Sequence, residues 1–380
     1  MGTEDNSSHT PLSIFLIQPY LRGSHASWVQ GLQSYSQHSI QLFSHTGNFW
    51  KWRMHGAAVS LAKKVKSHPS TPDLFLVSDM LDLSVFIALC GPMYAHIPTL
   101  LYFHENQLSY PWSPTDEDTI YKRDRHYAFI NYTSALVADR VCFNSAFHMD
   151  SFLSELPSFL SAFPDHQEVE NVDIIRAKSQ VLPLGVEFRE QKAHVQQMLS
   201  KPTILWNHRW EYDKNPSAFF RLLTRISQEG IDFSLILLGE SFQKIPPAIQ
   251  TGLEVLKDHI IHQGFVESRS AYQRWVWQAD VLPVTSRHDF FGLSVVEAIG
   301  AGVYPLLPNR CAYPEHIPAE WQSEHIYTTE EELYLKLTRF LRSPKAPHPQ
   351  LQEHVHAYKW QMLKGRYDAL FQQIAANAGE

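Results

Sequence analysis

Short, nearly continuous apolar runs recur along the chain, each bounded by turn residues and separated from the next by a stretch of helical length. Runs of this kind suit strands covered on both faces, and their alternation with helices predicts βα units and parallel sheets. The first half reads as strand SIFLIQ, a helix from about Ser27, strand SIQLFS, a helix over about 56–66, strand LFLVS and a helix over about 83–90. Strands TLLYFHE, RVCFNS and SQVLPLG follow, with helices over about 127–137 and 147–153 between them. A polar helical stretch, REQKAHVQQMLSKP, leads into a second series, with strands TILWNH, FSLILLGE, HIIHQGF, DVLPVTS and VYPLLP. Its helices include SAFFRLLTRISQEG, SRSAYQRWVWQA and GLSVVEAIGAG, and a last amphipathic helix reads VHAYKWQMLKGRYDALFQQI.

At 380 residues the chain is long for one core, and two successive doubly wound α/β domains are expected. The boundaries predicted are 1–187 and 188–360, with 361–380 as a C-terminal helix crossing back to the first domain. The composition, 44% apolar and 19% charged, is that of a globular protein. Cys90, Cys142 and Cys311 are far apart with no CxxC pair, which suggests neither a disulfide framework nor structural zinc and fits a reducing compartment. The polar N-terminal stretch lacks a basic region, and its apolar run is too short for a signal sequence or a span. A cytoplasmic protein without stable membrane insertion is the expectation.

A net charge of −7 argues against nucleic-acid binding by the whole surface, since counterion release needs clustered cations. Two local clusters interleave cations with aromatics: WKWR with KKVK, containing Lys51 and Arg53, and YKRDRHY, containing Lys122 and Arg123. Such segments serve phosphates and stacked bases, or form solvated helix faces with snorkelling side chains.

In open α/β sheets ligands bind beyond the carboxyl ends of the strands. After the first strand, Gly23-Ser24 opens either an anion-binding turn or a turn capped by Ser24. After TLLYF, His104-Glu105-Asn106 is either a pair placed to meet a substrate hydroxyl or a surface turn with a capping Asn. After TILW, Arg209 and Lys214 stand five positions apart before Pro216, either as a diphosphate clamp or as a loop in which Arg209 pairs with Glu211 or Asp213. After DVLPVTS comes HDFFGLSVVEAIGAG, with Asp289 in the loop, Gly292 in a tight turn and Glu297 in the helix. The two acids read as a dipole-favoured turn acid and an exposed helix glutamate, or as sugar ligands. The apolar neighbours of Glu297 favour a buried carboxylate, which needs a partner such as a sugar diol. Asp116-Glu117-Asp118 satisfies DxD but has no strand before it, the 21 histidines form no HExxH, and no GxSxG occurs.

Taken together these pieces resemble the retaining, metal-independent glycosyltransferases of the GT-B fold, family 4. Those enzymes carry a Gly-rich turn after the first strand, R-x4-K in the second domain and E-x7-E near its end. The resemblance narrows in GSH, YFHENQLSYP, NHRWEYDKNP, HDFFG and YPE, which are similar to blocks of the tRNA-queuosine alpha-mannosyltransferase family and run in the same order across nearly the whole chain. It implies two Rossmann-like domains facing across a cleft, a GDP-mannose donor, no metal or other cofactor, and an acceptor hydroxyl on the cyclopentenediol of queuosine in tRNA-Asp. It also implies roles. Arg209 and Lys214 would neutralise the donor diphosphate, Glu297 would bind the ribose, Asp289 the mannose hydroxyls and His104 the sugar or the acceptor. Gly239-Glu240 and Gly264-Phe265 would line the base pocket, and Gly23, Ser24, Phe290, Phe291 and Gly292 would complete the donor site.

The chain departs from the wider family at Asp289, one methylene shorter than the usual Glu, and at Arg22-Gly23 in place of Gly-Gly. Two other functions fit the same chain: a family-4 transferase acting on a lipid or small-molecule acceptor, and a catalytically silent RNA-binding or scaffold protein.

Overall fold

The computed structural model describes residues 10–113, 125–189, 201–239 and 247–377. They group into two compact units, one within Met1–Tyr110, Asp124–Gly185 and Trp360–Glu380, the other within Pro111–Arg123 and Val186–Lys359. Each unit is a six-stranded parallel sheet with helices, the α/β class expected.

In the first unit β1 (Ser13–Leu21), β2 (Ser39–Thr46), β3 (Leu74–Ser78), β4 (Thr99–Phe103), β5 (Arg140–Phe143) and β6 (Ser179–Val181) lie in the order β2-β1-β3-β4-β5-β6. Every residue of β3 and β4 is buried, which is why both read as unbroken apolar runs. The second unit orders β7 (Thr203–Trp206), β8 (Ser234–Leu238), β9 (Ile260–Gly264), β10 (Val281–Pro283), β11 (Tyr304–Pro308) and β12 (Ile326–Tyr327) as β12-β11-β10-β7-β8-β9. The strand order reverses between β1 and β3 in one sheet and between β7 and β10 in the other. Loops leaving neighbouring strands diverge at such points and open a crevice for ligands.

Several element boundaries differ from expectation. The first helix spans Gly23–Tyr35, beginning before Ser27, and its N-cap is Arg22, without a side-chain cap, where Ser24 was the candidate. The second begins at Trp50, six residues early. The last amphipathic segment breaks into helices Pro349–His356 and Trp360–Asn377. The second of these packs in the first unit. A Cβ on Gly31 or Gly185 would lie 2.0 or 2.2 Å from the Trp360 ring, so two glycines make the room its indole fills. Tyr367 Oη accepts from Trp28 Nε1 at 3.1 Å and donates to the Pro183 carbonyl at 2.8 Å. Most of the stretch REQKAHVQQMLSKP lies outside the described residues. Among the described residues no helix is long and apolar enough to cross a membrane, and the three cysteines are free thiols.

Candidate active site

In the second unit β7 runs into a loop that closes as a single 3-10 turn, Tyr212–Lys214. Asn215 takes a left-handed conformation, φ 52°, and Pro216 opens helix Pro216–Gln228, pre-set for its first position. Thr285 Oγ1, just after β10, donates to the Lys214 and Asn215 carbonyls at 3.1 and 3.2 Å, so the two loops at the crevice are tied together.

This tie aims Lys214 inward. Its Nζ donates to Asp289 Oδ2 at 2.9 Å and to the His288 carbonyl at 3.1 Å, and stands 3.1 Å from Asp213 Oδ2. Burial disfavours the charged ammonium, but Asp289 and Asp213 outweigh it and hold its pKa above the ordinary lysine value. Burial likewise opposes ionisation of Asp289, and Lys214 outweighs it, with smaller help from His208 and His288. The carboxyl is held well below the usual range. His208 and His288 are lowered to about 4, by burial first, so both are neutral near pH 7.

Asp289 is also a turn residue. Its Oδ1 accepts from Gly292 N at 2.9 Å and its Oδ2 from Tyr313 Oη at 3.3 Å. Gly292 has φ 78°, a conformation that favours glycine, and a Cβ there would sit tightly at 3.2 Å from Tyr313 Cε1. Phe290 and Phe291, expected to line the donor site, have buried rings, with Phe291 packed on His316 and Tyr358.

Arg209 is the exposed cation of the pair, ion-paired to Glu211 at 3.0 Å as one of its two readings anticipated. Glu297 is buried, and its partner is Arg269 of helix Arg269–Val276, a residue sequence reasoning did not single out. Asn207 reaches from the end of β7 to the Tyr272 hydroxyl at 3.2 Å and the Ser294 carbonyl at 2.7 Å. Asn207 Oδ1 and His208 Nε2 are buried with no hydrogen-bond partner among the described residues. Polar atoms in that condition suit a bound ligand.

Gly239, with φ 110°, passes so close to the Arg209 loop that a Cβ would lie 2.2 Å from the His208 carbonyl oxygen. Gly264 has φ 127°, and Phe265 beside it is 65% exposed at the end of β9. Glu240 lies outside the described residues, as do Asp116, Glu117, Asp118, Lys122 and Arg123.

In the first unit Gly23, φ 54°, and Ser24 form the first turn of helix Gly23–Tyr35. His104 follows β4. Its ring lies 4.1 Å from that of His25 and 4.7 Å, edge-on, from Trp28, and its backbone N–H donates to Asp79 Oδ1 at 2.8 Å. Both its ring nitrogens are buried and have no hydrogen-bond partner among the described residues. Burial, then His25 and His148, push its pKa well below the usual value, so the ring is neutral and can donate at one nitrogen and accept at the other. Asp79, after β3, is raised well above the ordinary carboxyl value by burial and then by Glu105. Asn106 caps its own turn, its Oδ1 accepting from Leu108 N and Ser109 N at 3.1 and 2.8 Å.

Lys51 and Arg53 belong to helix Trp50–Lys66. Lys51 Nζ lies 5.6 and 5.9 Å from the ring centres of Trp50 and Tyr127. Arg53 donates to the Thr46 carbonyl at 3.3 Å. Asp213, Arg269, Tyr313 and Asp79 complete the two strand-end clusters. A buried lysine's need for carboxylates could have flagged Asp213 beside Lys214.

Two Rossmann-like units with a cation-bearing loop after the first strand of the second are the plan of a GT-B glycosyltransferase. Over 96% of this chain and 100% of the other, the fold superposes with a TM-score of 0.69 on sucrose-phosphate synthase from Thermosynechococcus elongatus, at 13% identity. It superposes at 0.62 on the Anabaena protein HepE in complex with UDP, over 97% and 99% of the two chains, also at 13% identity. Residues 187–356 match the glycosyl transferases group 1 family, and residues 13–186 match the tRNA-queuosine alpha-mannosyltransferase N-terminal family. The Drosophila melanogaster tRNA-queuosine alpha-mannosyltransferase is 33% identical over 342 residues, 87% of this chain and 88% of that protein. A GDP-mannose-dependent alpha-(1-6)-phosphatidylinositol dimannoside mannosyltransferase of Mycobacterium tuberculosis is 28% identical over 40% of this chain and 41% of its own length. The chain belongs to the tRNA-queuosine alpha-mannosyltransferase family and is a glycosyltransferase.

Proposed function

We propose that this glycosyltransferase moves mannose from GDP-mannose, with retention and without a metal, to the cyclopentenediol of queuosine in tRNA. The observation that carries the reading is Lys214, a buried cation fixed at the strand-order reversal of the second unit, with half-exposed Arg209 in the same loop. The diphosphate leaving group gains negative charge as the sugar bond breaks, and fixed cations stabilise that charge more than they stabilise the bound donor. Arg209 reaches it by exchanging Glu211, since an exposed ion pair is worth only about 0–1 kcal/mol. Lys214 meets the diphosphate by exchanging one of its own partners, since its Nζ already stands 2.9 Å from Asp289 and 3.1 Å from Asp213 and the His288 carbonyl.

In this reading Asp289 holds Lys214 in place and meets the hexose through whatever hydrogen-bonding capacity its two oxygens retain. Glu297 accepts the ribose hydroxyls beside Arg269, its ion-pair partner. Phe265 offers an exposed ring to the base, the open backbone at Gly264 lets the nucleotide approach, and Gly239 lets the Arg209 loop pass close beside it. His104, neutral, donates to or accepts from the sugar or the incoming hydroxyl. Lys51 and Arg53 meet the RNA backbone. The name of the Drosophila relative supports the acceptor, and the 40% match to a GDP-mannose-dependent enzyme supports the donor.

Incubation with GDP-mannose and queuosine-containing tRNA tests the reading, with mass spectrometry of the released nucleosides. A hexose increment on queuosine is expected. Transfer only to a lipid or a small sugar would replace it with the other acceptor class.

A further inference from the structure

The start of helix Trp50–Lys66 carries two local costs. Phe49, its N-cap, sits in the left-handed region, φ 55° and ψ 54°, where a bulky side chain is strained, and its ring is 78% exposed. Trp52, three residues on, is 64% exposed, and its indole lies over Gly56, where a Cβ would come within 2.7 Å of the ring. A glycine inside a helix weakens it, and here it makes room for the indole, most of whose surface stays exposed. Lys51 and Arg53 alternate with these rings.

The place is specific. Thr46, the last residue of β2, pairs with Leu21 of β1, and Arg53 bonds Thr46. Phe49 and Trp52 therefore stand at the carboxyl edge of the first sheet, the edge that also presents Gly23 and His104. Three strand spacings separate β2 from β4, about 14 Å.

We propose that Phe49 and Trp52 form a stacking platform for unpaired bases of an RNA loop, held there while a neighbouring nucleotide enters the site. Flat aromatic faces between cations suit single-stranded RNA, because every base offers a π-face and every linkage a charge, whereas a paired stem hides its bases. The inference rests on the RNA-acceptor reading and adds the residues that select a loop over a duplex.

The test compares two RNAs that both lack queuosine, a hairpin with an unpaired loop and a fully paired duplex of equal length, by fluorescence anisotropy. Trp52→Ala and Phe49→Gly should each weaken hairpin binding about tenfold, while duplex binding changes less than about twofold. Phe49→Gly should not lower the melting temperature, since glycine accepts φ 55° without strain. Unchanged hairpin affinity in both variants overturns the platform, and so does an equal loss on both RNAs, which would leave only backbone charge. Trp52-dependent sedimentation with phosphatidylserine vesicles, without hairpin binding, overturns it in favour of a membrane surface. Because neither RNA carries queuosine and no sugar moves, failure here is distinct from failure of mannosyl transfer.

Discussion

Lys214 Nζ and Asp289 Oδ2 stand 2.9 Å apart, so the cation expected on the diphosphate and the acid expected on the hexose form one buried ion pair. Breaking it has a structural consequence as well as a catalytic one. Lys214→Ala leaves Asp213 and Asp289 facing each other without a counter-ion and should cost about 3 kcal/mol or more of stability, together with loss of transfer. Thermal unfolding and turnover of the same variant measure both. A melting temperature equal to wild type would remove the structural role.

Arg209→Ala separates the two effects. The side chain is 55% exposed and its partner Glu211 is 37% exposed, so stability should change by less than about 1 kcal/mol. Turnover should fall by about a hundredfold or more, with loss in kcat, as the proposed role on charge that develops during bond breaking requires. A change in KM alone would assign Arg209 to ground-state binding.

Acid should destabilise the second unit in two stages. His208, His288 and His316 have folded-state values lowered to about 4 from an ordinary 6.5, by burial. Between those values the unfolded chain takes up protons that the folded chain refuses, so stability falls as pH drops from about 6.5 to about 4. Asp289 adds the second stage. Its folded value is depressed, so its stabilisation is full above the ordinary carboxyl value and is lost as pH falls below it. Unfolding midpoints between pH 7 and 3 test this, with a shallower upper slope expected for His316→Gln.

Gly239→Ala should disturb the Arg209 loop from a distance in sequence. The added methyl meets the His208 carbonyl at 2.2 Å on a backbone at φ 110°, and about 1–3 kcal/mol of destabilisation is expected. Sugar-nucleotide KM should rise as well. Wild-type values for both would mean the two loops are not coupled.

The fold was legible because its central strands are buried on both faces and spell themselves out, as LFLVS and SLILL do. The helix starting at Gly23 was placed late because Arg22 caps it without a side-chain bond, so the usual polar N-cap signal is missing. The break at 357–359 was hidden because both flanking helices keep an apolar face, and what anchors the last one is Trp360 against Gly31 and Gly185, a three-way contact with no sequence periodicity. At the site, the spacing of Arg209 and Lys214 was readable, but Arg269 was not. The demand of a buried Glu297 for a partner was clear, but the partner expected was a sugar diol, and only the fold brings the Arg269 cation beside it. The missing methylene at Asp289 also acquires a reason: the short side chain closes a turn onto Gly292 N while still reaching Lys214.

The central claim is mannosyl transfer to queuosine, and radiolabelled GDP-mannose offered to two preparations of the same tRNA, with and without queuosine, tests it most directly. Label should enter only the queuosine-containing preparation and should be lost with Arg209→Ala. Label on both tRNAs, or on neither while another acceptor is glycosylated, would contradict the account.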